Sequence, residues 1–173
     1  MFTFNGVFGE NATQAEVFKP VEKLIESALI GYKVTIFAFG QTGSGKTYTM
    51  SGGPDKKDGL IQQTFAFLRS KLTEESEFEF KISCTMVQVY YSKITDLLLK
   101  KGETFRRLII EKDEKYDITN VTGATKVLID FSDEDALAQI WKQGLDNRTM
   151  RASEFNETSS RSHLMFAINI EKI

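Results

Sequence analysis

The chain has 173 residues, with 22 Lys plus Arg against 24 Asp plus Glu, a formal net charge of −2; that is one domain's worth of polypeptide. With 41% hydrophobic residues, 14 Phe and only 2 Pro, the composition suits a packed core and excludes disordered, collagen-like and low-complexity classes. The near-neutral balance removes the whole-domain basic signature of a nucleic-acid binder, and a single cysteine, Cys84, excludes an internal disulfide and fits a reducing compartment. The opening MFTFNGVFGE lacks the basic and apolar regions of a signal peptide, and no later stretch approaches the about 20 apolar residues of a membrane span. The chain reads as soluble and intracellular, and as one unit, with no repeat and no linker dividing it.

Phe2 to Val7 reads as a short strand. Thr13 with Glu16 three residues on makes a capping box for a helix that turns Val17, Val21, Leu24, Ile25, Ala28 and Leu29 inward and ends at Gly31. Pro20 lies inside it, so the helix either kinks there or starts its regular part there. Val34 to Gly40 is β-branched and aromatic with almost no polar interruption, the pattern of a parallel strand covered on both faces. A helix is expected after Lys46, broken at the polar stretch Ser51 to Asp58 and resumed through Leu60, Ile61, Phe65, Leu68 and Leu72.

Phe78, Phe80, Ile82 and Cys84 alternate with polar neighbours, a strand running into MVQVYYSKITDLLL, where a shift of apolar phase at Met86/Val87 suggests a bulge or bend. Lys100 to Arg107 is a polar, basic loop. Val127 to Ile129 is a short apolar run, Ser132 with Asp135 reads as the cap of a helix through Leu137, Ile140 and Leu145, and Leu164 to Ile170 alternates as a final strand.

Between the apolar run and the helix after it, Gly40-Gln41-Thr42-Gly43-Ser44-Gly45-Lys46-Thr47 matches G-x-x-x-x-G-K-[ST] in full, in the strand-to-helix context that the motif demands. Chance would place its four fixed positions in about one such chain per hundred. The chemistry is direct: glycines let backbone amides converge on phosphate oxygens, the helix N-terminus adds positive charge, Lys46 neutralises the β and γ phosphates, and Thr47 ligates Mg²⁺. Phosphoryl transfer further needs a γ-phosphate sensor, a residue orienting water, and a carboxylate behind the metal's waters. Asp130, ending Val127-Leu128-Ile129, is the one passable carboxylate, and a position on the approach to the next helix explains it better. Asn156-Glu157-Thr158-Ser159-Ser160-Arg161-Ser162-His163 gathers hydroxyls, an amide, a guanidinium and an imidazole just before a strand; taken alone, a polar turn is an equal reading.

FAFGQTGSGKTYTMSG (Phe37 to Gly52) together with NETSSRSH (Asn156 to His163) resembles the phosphate loop and switch I of kinesin motor domains. FTFNGVF, TQAEVF, VYYSKITDLL, VTGATKV and GLDNR follow in the family's order, and the wording is most similar to C-terminal-motor kinesins. The resemblance implies an α/β phosphate-loop fold, a central mixed sheet flanked by helices, and an ATP-driven microtubule motor. Gly40 to Thr47 would cradle ATP, Thr47 and Ser160 would ligate Mg²⁺ with Ser159 beside them, and Asn156 would position nucleotide and water. Arg161 would pair with a switch II Glu. Tubulin would be the partner, with dimerisation through other segments, in the cytoplasm on the cytoskeleton, and with no nucleic acid or membrane.

The family's R-x-R-P adenine segment and its D-x-x-G-x-E switch II do not occur between Met1 and Ile173, so a partial motor domain is expected, with Val34 to Gly40 deprived of its neighbours. The competing expectation is a catalytically inactive nucleotide- or microtubule-binding module. Gln62-Gln63 stands for the usual Pro-Arg, and Gln88 for the usual Glu. No N-K-x-D guanine-reading stretch is present. Lys100, Lys101, Arg106 and Arg107 could meet the acidic microtubule surface or form a solvated turn.

Overall fold

A computed structural model of the chain describes residues 1–53, 58–74, 79–100, 103, 107–113, 118–133, 135–155 and 161–173. Contacts divide it into two compact units, Met1–Phe78 and Glu79–Ile173.

The first unit is built on helices. Helix α1, Gln14–Leu29, begins at the expected capping box: Glu16 N donates to Thr13 Oγ1 at 3.3 Å and Thr13 N to Glu16 Oε2 at 2.7 Å. It runs through Pro20, which withholds one ladder donor without ending the helix, and stops where Gly31 adopts φ 99°. The buried stripe is Gln14, Phe18, Val21 and Ile25; Leu24, expected inside, is exposed. Helix α2, Lys46–Ser51, and helix α3, Leu60–Glu74, follow as expected, although part of the intervening break, 54–57, lies outside the described residues. The α1–α3 contact buries Phe18, Val21, Ile25, Phe65 and Leu68 and stacks Phe18 edge-on to Phe67 at 6.2 Å.

Two expected strands do not form. Phe2 to Val7 is exposed coil, and Val34 to Phe39 enters no ladder among the described residues. Its exposure nonetheless alternates, with Phe37 78% and Phe39 93% exposed and Ile36 and Ala38 half-buried. An apolar run becomes a strand only where a neighbour accepts its amides and carbonyls, and among the described residues no segment pairs with this one.

Among its described residues the second unit is a sheet with one helix. Strand β1, Phe80–Tyr90, is its spine. Strand β6, Ser162–Lys172, pairs antiparallel along its whole length from Phe80↔Lys172 to Tyr90↔Ser162. The other edge of β1 is shared by β2, Lys93–Asp96, from Val87↔Asp96 to Tyr90↔Lys93, and by β5, Val127–Leu128, at Ser83↔Leu128 and Cys84↔Val127. The register against β6 is unbroken, so the bulge expected at Met86/Val87 is absent. The apolar phase shifts because both faces of β1 are covered there, with Met86, Val87 and Gln88 all buried. A separate hairpin pairs β3, Ile109–Asp113, with β4, Ile118–Thr122. Every pairing among the described residues is antiparallel.

Helix α4, Ala136–Phe155, covers the β1 face that carries Ile82, Cys84, Met86 and Gln88. Trp141 meets Phe166 edge-on at 5.4 Å, and Gly144 lies against the Met86 side chain. Its start differs from expectation: Ser132 Oγ and N donate to Asp130 Oδ1, Asp135 N donates to Asp133 Oδ1, and the helix begins one turn later than a Ser132 cap would put it.

Candidate functional site

The phosphate-loop motif forms a glycine turn that feeds α2. Gly43 (φ 82°) and Gly45 (φ 89°, the N-cap residue) occupy left-handed backbone that only glycine adopts without strain. At Gly40 a Cβ would overlap the Ser44 hydroxyl and lie 3.1 Å from Ser44 Cβ, so that position also requires glycine. Ser44 N closes the turn on Gln41 O at 3.2 Å. Thr49 N, bonded to Gly45 O at 2.8 Å, is the first amide of α2 to enter the ladder. The amides of Lys46, Thr47 and Tyr48 precede it and form the positive end of the helix.

Lys46 Nζ arches back over the turn and donates to Gly40 O at 2.9 Å and Gln41 O at 2.6 Å. Its charge therefore sits directly above the loop. Gln41, Thr42, Gly43, Ser44 and Thr47 are exposed. Glycine turn, overarching ammonium, helix N-terminus and the exposed Thr47 together fit a magnesium-bound polyphosphate: amides and ammonium for anionic oxygens, the Thr47 hydroxyl for the metal.

Of the second segment, Asn156, Ser159 and Ser160 lie outside the described residues. Arg161 is exposed and immediately precedes β6. Lys100 and Arg107 are exposed, while Lys101 and Arg106 lie outside the described residues. Asp130 is exposed and its carboxyl is held below the usual carboxylate range by the Ser132 hydroxyl and amide. That local turn accounts for it without a metal. Cys84 is fully buried, and burial pushes its thiol up to about 11, which makes it inert core.

Sequence reading missed two sets of polar residues. Arg148, on α4, donates Nε to Gln88 Oε1 at 3.1 Å and Nη2 to Ser162 Oγ at 2.9 Å, tying the helix to β1 and to the first residue of β6; burial pulls its guanidinium below its ordinary value. Asn147 beside it donates to Leu97 O at 2.8 Å, satisfying backbone in the wholly buried Leu97–Leu98 turn. In the first unit, Gln14 donates to Tyr48 O at 2.7 Å. The signal was available there: Gln14, Phe18, Val21 and Ile25 lie on one helical stripe, and a polar residue on that stripe needs a partner.

These features define a phosphate-loop turn of the G-x-x-x-x-G-K-[ST] type at the start of a helix. The family model described as kinesin motor domain matches residues 1–173, and the chain belongs to that family. It is 37% identical over 175 residues to the kinesin-like protein KIN-14N of Oryza sativa subsp. japonica, covering 98% of this chain and 23% of the relative. It is 37% identical over 185 residues to KIN-14C of Arabidopsis thaliana (99% and 23%) and 38% over 180 residues to KIN-14M of Arabidopsis thaliana (98% and 24%). The similarity thus lies with C-terminal-motor kinesins, and the chain spans about a quarter of the length of these curated relatives.

Proposed function

We propose that the chain binds ATP with Mg²⁺ and serves an ATPase cycle coupled to microtubule binding. The observation that carries this is the turn Gly40–Thr47, with its left-handed glycines and its ammonium poised above the helix N-terminus. In this reading Gly43 to Thr47 bind the phosphates through their amides, Lys46 leaves the Gly40 and Gln41 carbonyls for phosphate oxygens, and Thr47 and Ser160 hold the metal. Asn156 orients nucleotide and water, Ser159 lies beside Ser160, and Arg161 serves as the ion-pair half of a nucleotide-sensing latch. The bound nucleotide supplies the anhydride bond whose cleavage drives the cycle. Adenine is favoured by family membership.

A tubulin surface is the partner, dimerisation resides in other segments, and the site of action is the cytoplasmic cytoskeleton. No role is assigned for nucleic acid or membrane; no helix among the described residues is long and apolar enough to cross a bilayer. Read as a partial motor domain over residues 1–173, the chain has a second reading, a nucleotide- or microtubule-binding module without a working cycle. It is favoured by the lead-in Val34 to Phe39, which enters no ladder among the described residues, because a loop whose preceding segment lacks a ladder is less firmly held. ATP turnover with and without microtubules separates the two. Stimulated turnover by the chain supports the motor reading, and Lys46-dependent ATP binding without turnover supports the module.

A further inference from the structure

Helix α2 carries Lys46 and Thr47 but has only six residues, too few to be stable on its own. Whatever grips its far end therefore sets where the loop lies. Three grips are visible. Gln14 Nε2, from the first turn of α1, donates to Tyr48 O at 2.7 Å, the same carbonyl that accepts Gly52 N at 2.8 Å. Gln63 Nε2, from α3, donates to Gln14 O at 3.2 Å and to Asp58 O at 2.7 Å, so that it holds the backbone of the residue holding α2. Gly59 presses its backbone on the end of α2, with Met50 O 2.6 Å from where a Cβ would stand.

Gln14 is 8% exposed on a stripe otherwise made of Phe18, Val21 and Ile25. A buried amide in such a place is costly unless bonded, and the carbonyl it reaches lies one residue beyond Thr47. We infer that Gln14 is a positioning residue for the phosphate loop, acting through the Tyr48 carbonyl, with Gln63 as its support. This rests on the reading that Gly40 to Thr47 bind a magnesium-bound nucleoside triphosphate.

The test is titration of the 173-residue chain with a fluorescent ATP analogue and Mg²⁺, under conditions where each variant is folded by circular dichroism. The variants are Gln14→Ala, Gln14→Glu, Gln63→Met and Lys46→Ala. Gln14→Glu keeps size and shape but sets an acceptor against the Tyr48 carbonyl. The dissociation constant is expected to rise about fivefold to tenfold for both Gln14 variants and about twofold to threefold for Gln63→Met. Amide exchange without nucleotide is expected to quicken at Ser44 to Thr49 ahead of α3. A purely structural role would lower the unfolding temperature and leave the affinity of the folded protein unchanged.

Gln14→Glu binding within 1.5-fold of wild type, with Lys46→Ala unable to bind, overturns the inference while sparing the nucleotide site. Should the Gln14 variants not fold, unchanged affinity and exchange in Gln63→Met overturn it equally. Wild type that does not bind, or Lys46→Ala that binds as well as wild type, overturns the nucleotide site and this inference with it.

Discussion

Gly59→Ala probes the junction between the end of α2 and the start of α3. A Cβ there would overlap Gly52 N and Ser51 C and stand 2.6 Å from Met50 O. All three are backbone atoms and cannot rotate aside. Ordinary contact needs about 3.4 Å or more, so the two segments must separate by roughly 1 Å across a junction that Gln63 and Asp58 also tie, Gly53 N donating to Asp58 Oδ1 at 2.9 Å. Overpacking of this kind costs about 2–3 kcal/mol, which in a chain of this size lowers the unfolding temperature by roughly 5–10 °C. Two further glycines calibrate the reasoning. At Gly144 the added Cβ would meet the flexible Met86 side chain, itself fully buried, so about 1–2 kcal/mol is expected. At Gly9 nothing lies within 4 Å, and Gly9→Ala should be neutral or slightly stabilising. Thermal unfolding followed by circular dichroism ranks the three, and Gly59→Ala within 2 °C of Gly9→Ala would refute the close approach.

Lys46→Ala should abolish measurable MgATP binding while the protein stays folded, because it removes the ammonium held above the loop; calorimetric titration checks this. The thiol of Cys84, raised from 9.0 to about 11, stays protonated in the fold, so its contribution is complete below pH 9 and is lost as pH rises towards 11. Urea unfolding from pH 8 to 11 should therefore fall more steeply for wild type than for Cys84→Ala, and a thiol reagent should label Cys84 only after denaturation. Arg148→Ala withdraws the donors to Gln88 Oε1 and Ser162 Oγ and should destabilise by about 1–3 kcal/mol in urea unfolding.

What was legible in the sequence was what depends on neighbours along the chain. The Thr13/Glu16 box, the Gly31 stop, the break between α2 and α3 and the alternation of β6 all appear as expected, because capping and periodicity are local properties. The glycine turn was readable for the same reason, since φ 82° and φ 89° are conformations for which glycine is chosen. Errors came where a distant segment decides. The run Val34 to Phe39 has strand composition, yet a ladder needs a partner that no local pattern supplies. The supposed bulge at Met86/Val87 was two-sided burial, set by what packs on each face of β1. Gln14 and Arg148 were passed over because their partners, Tyr48 and Gln88 with Ser162, stand 34, 60 and 14 residues away. Asp130 is a mixed case: it does lie ahead of a helix as expected, but Ser132, expected as that helix's cap, donates to Asp130 instead and the helix begins at Ala136.

Backbone amide resonances recorded as MgATP is added test the phosphate-loop assignment at the residues that define it. Saturable shifts centred on Gly43, Ser44, Gly45, Lys46 and Thr47, and lost in Lys46→Ala, are the expected result. Saturable shifts that leave those five amides unmoved, or no shifts at millimolar nucleotide, would contradict it.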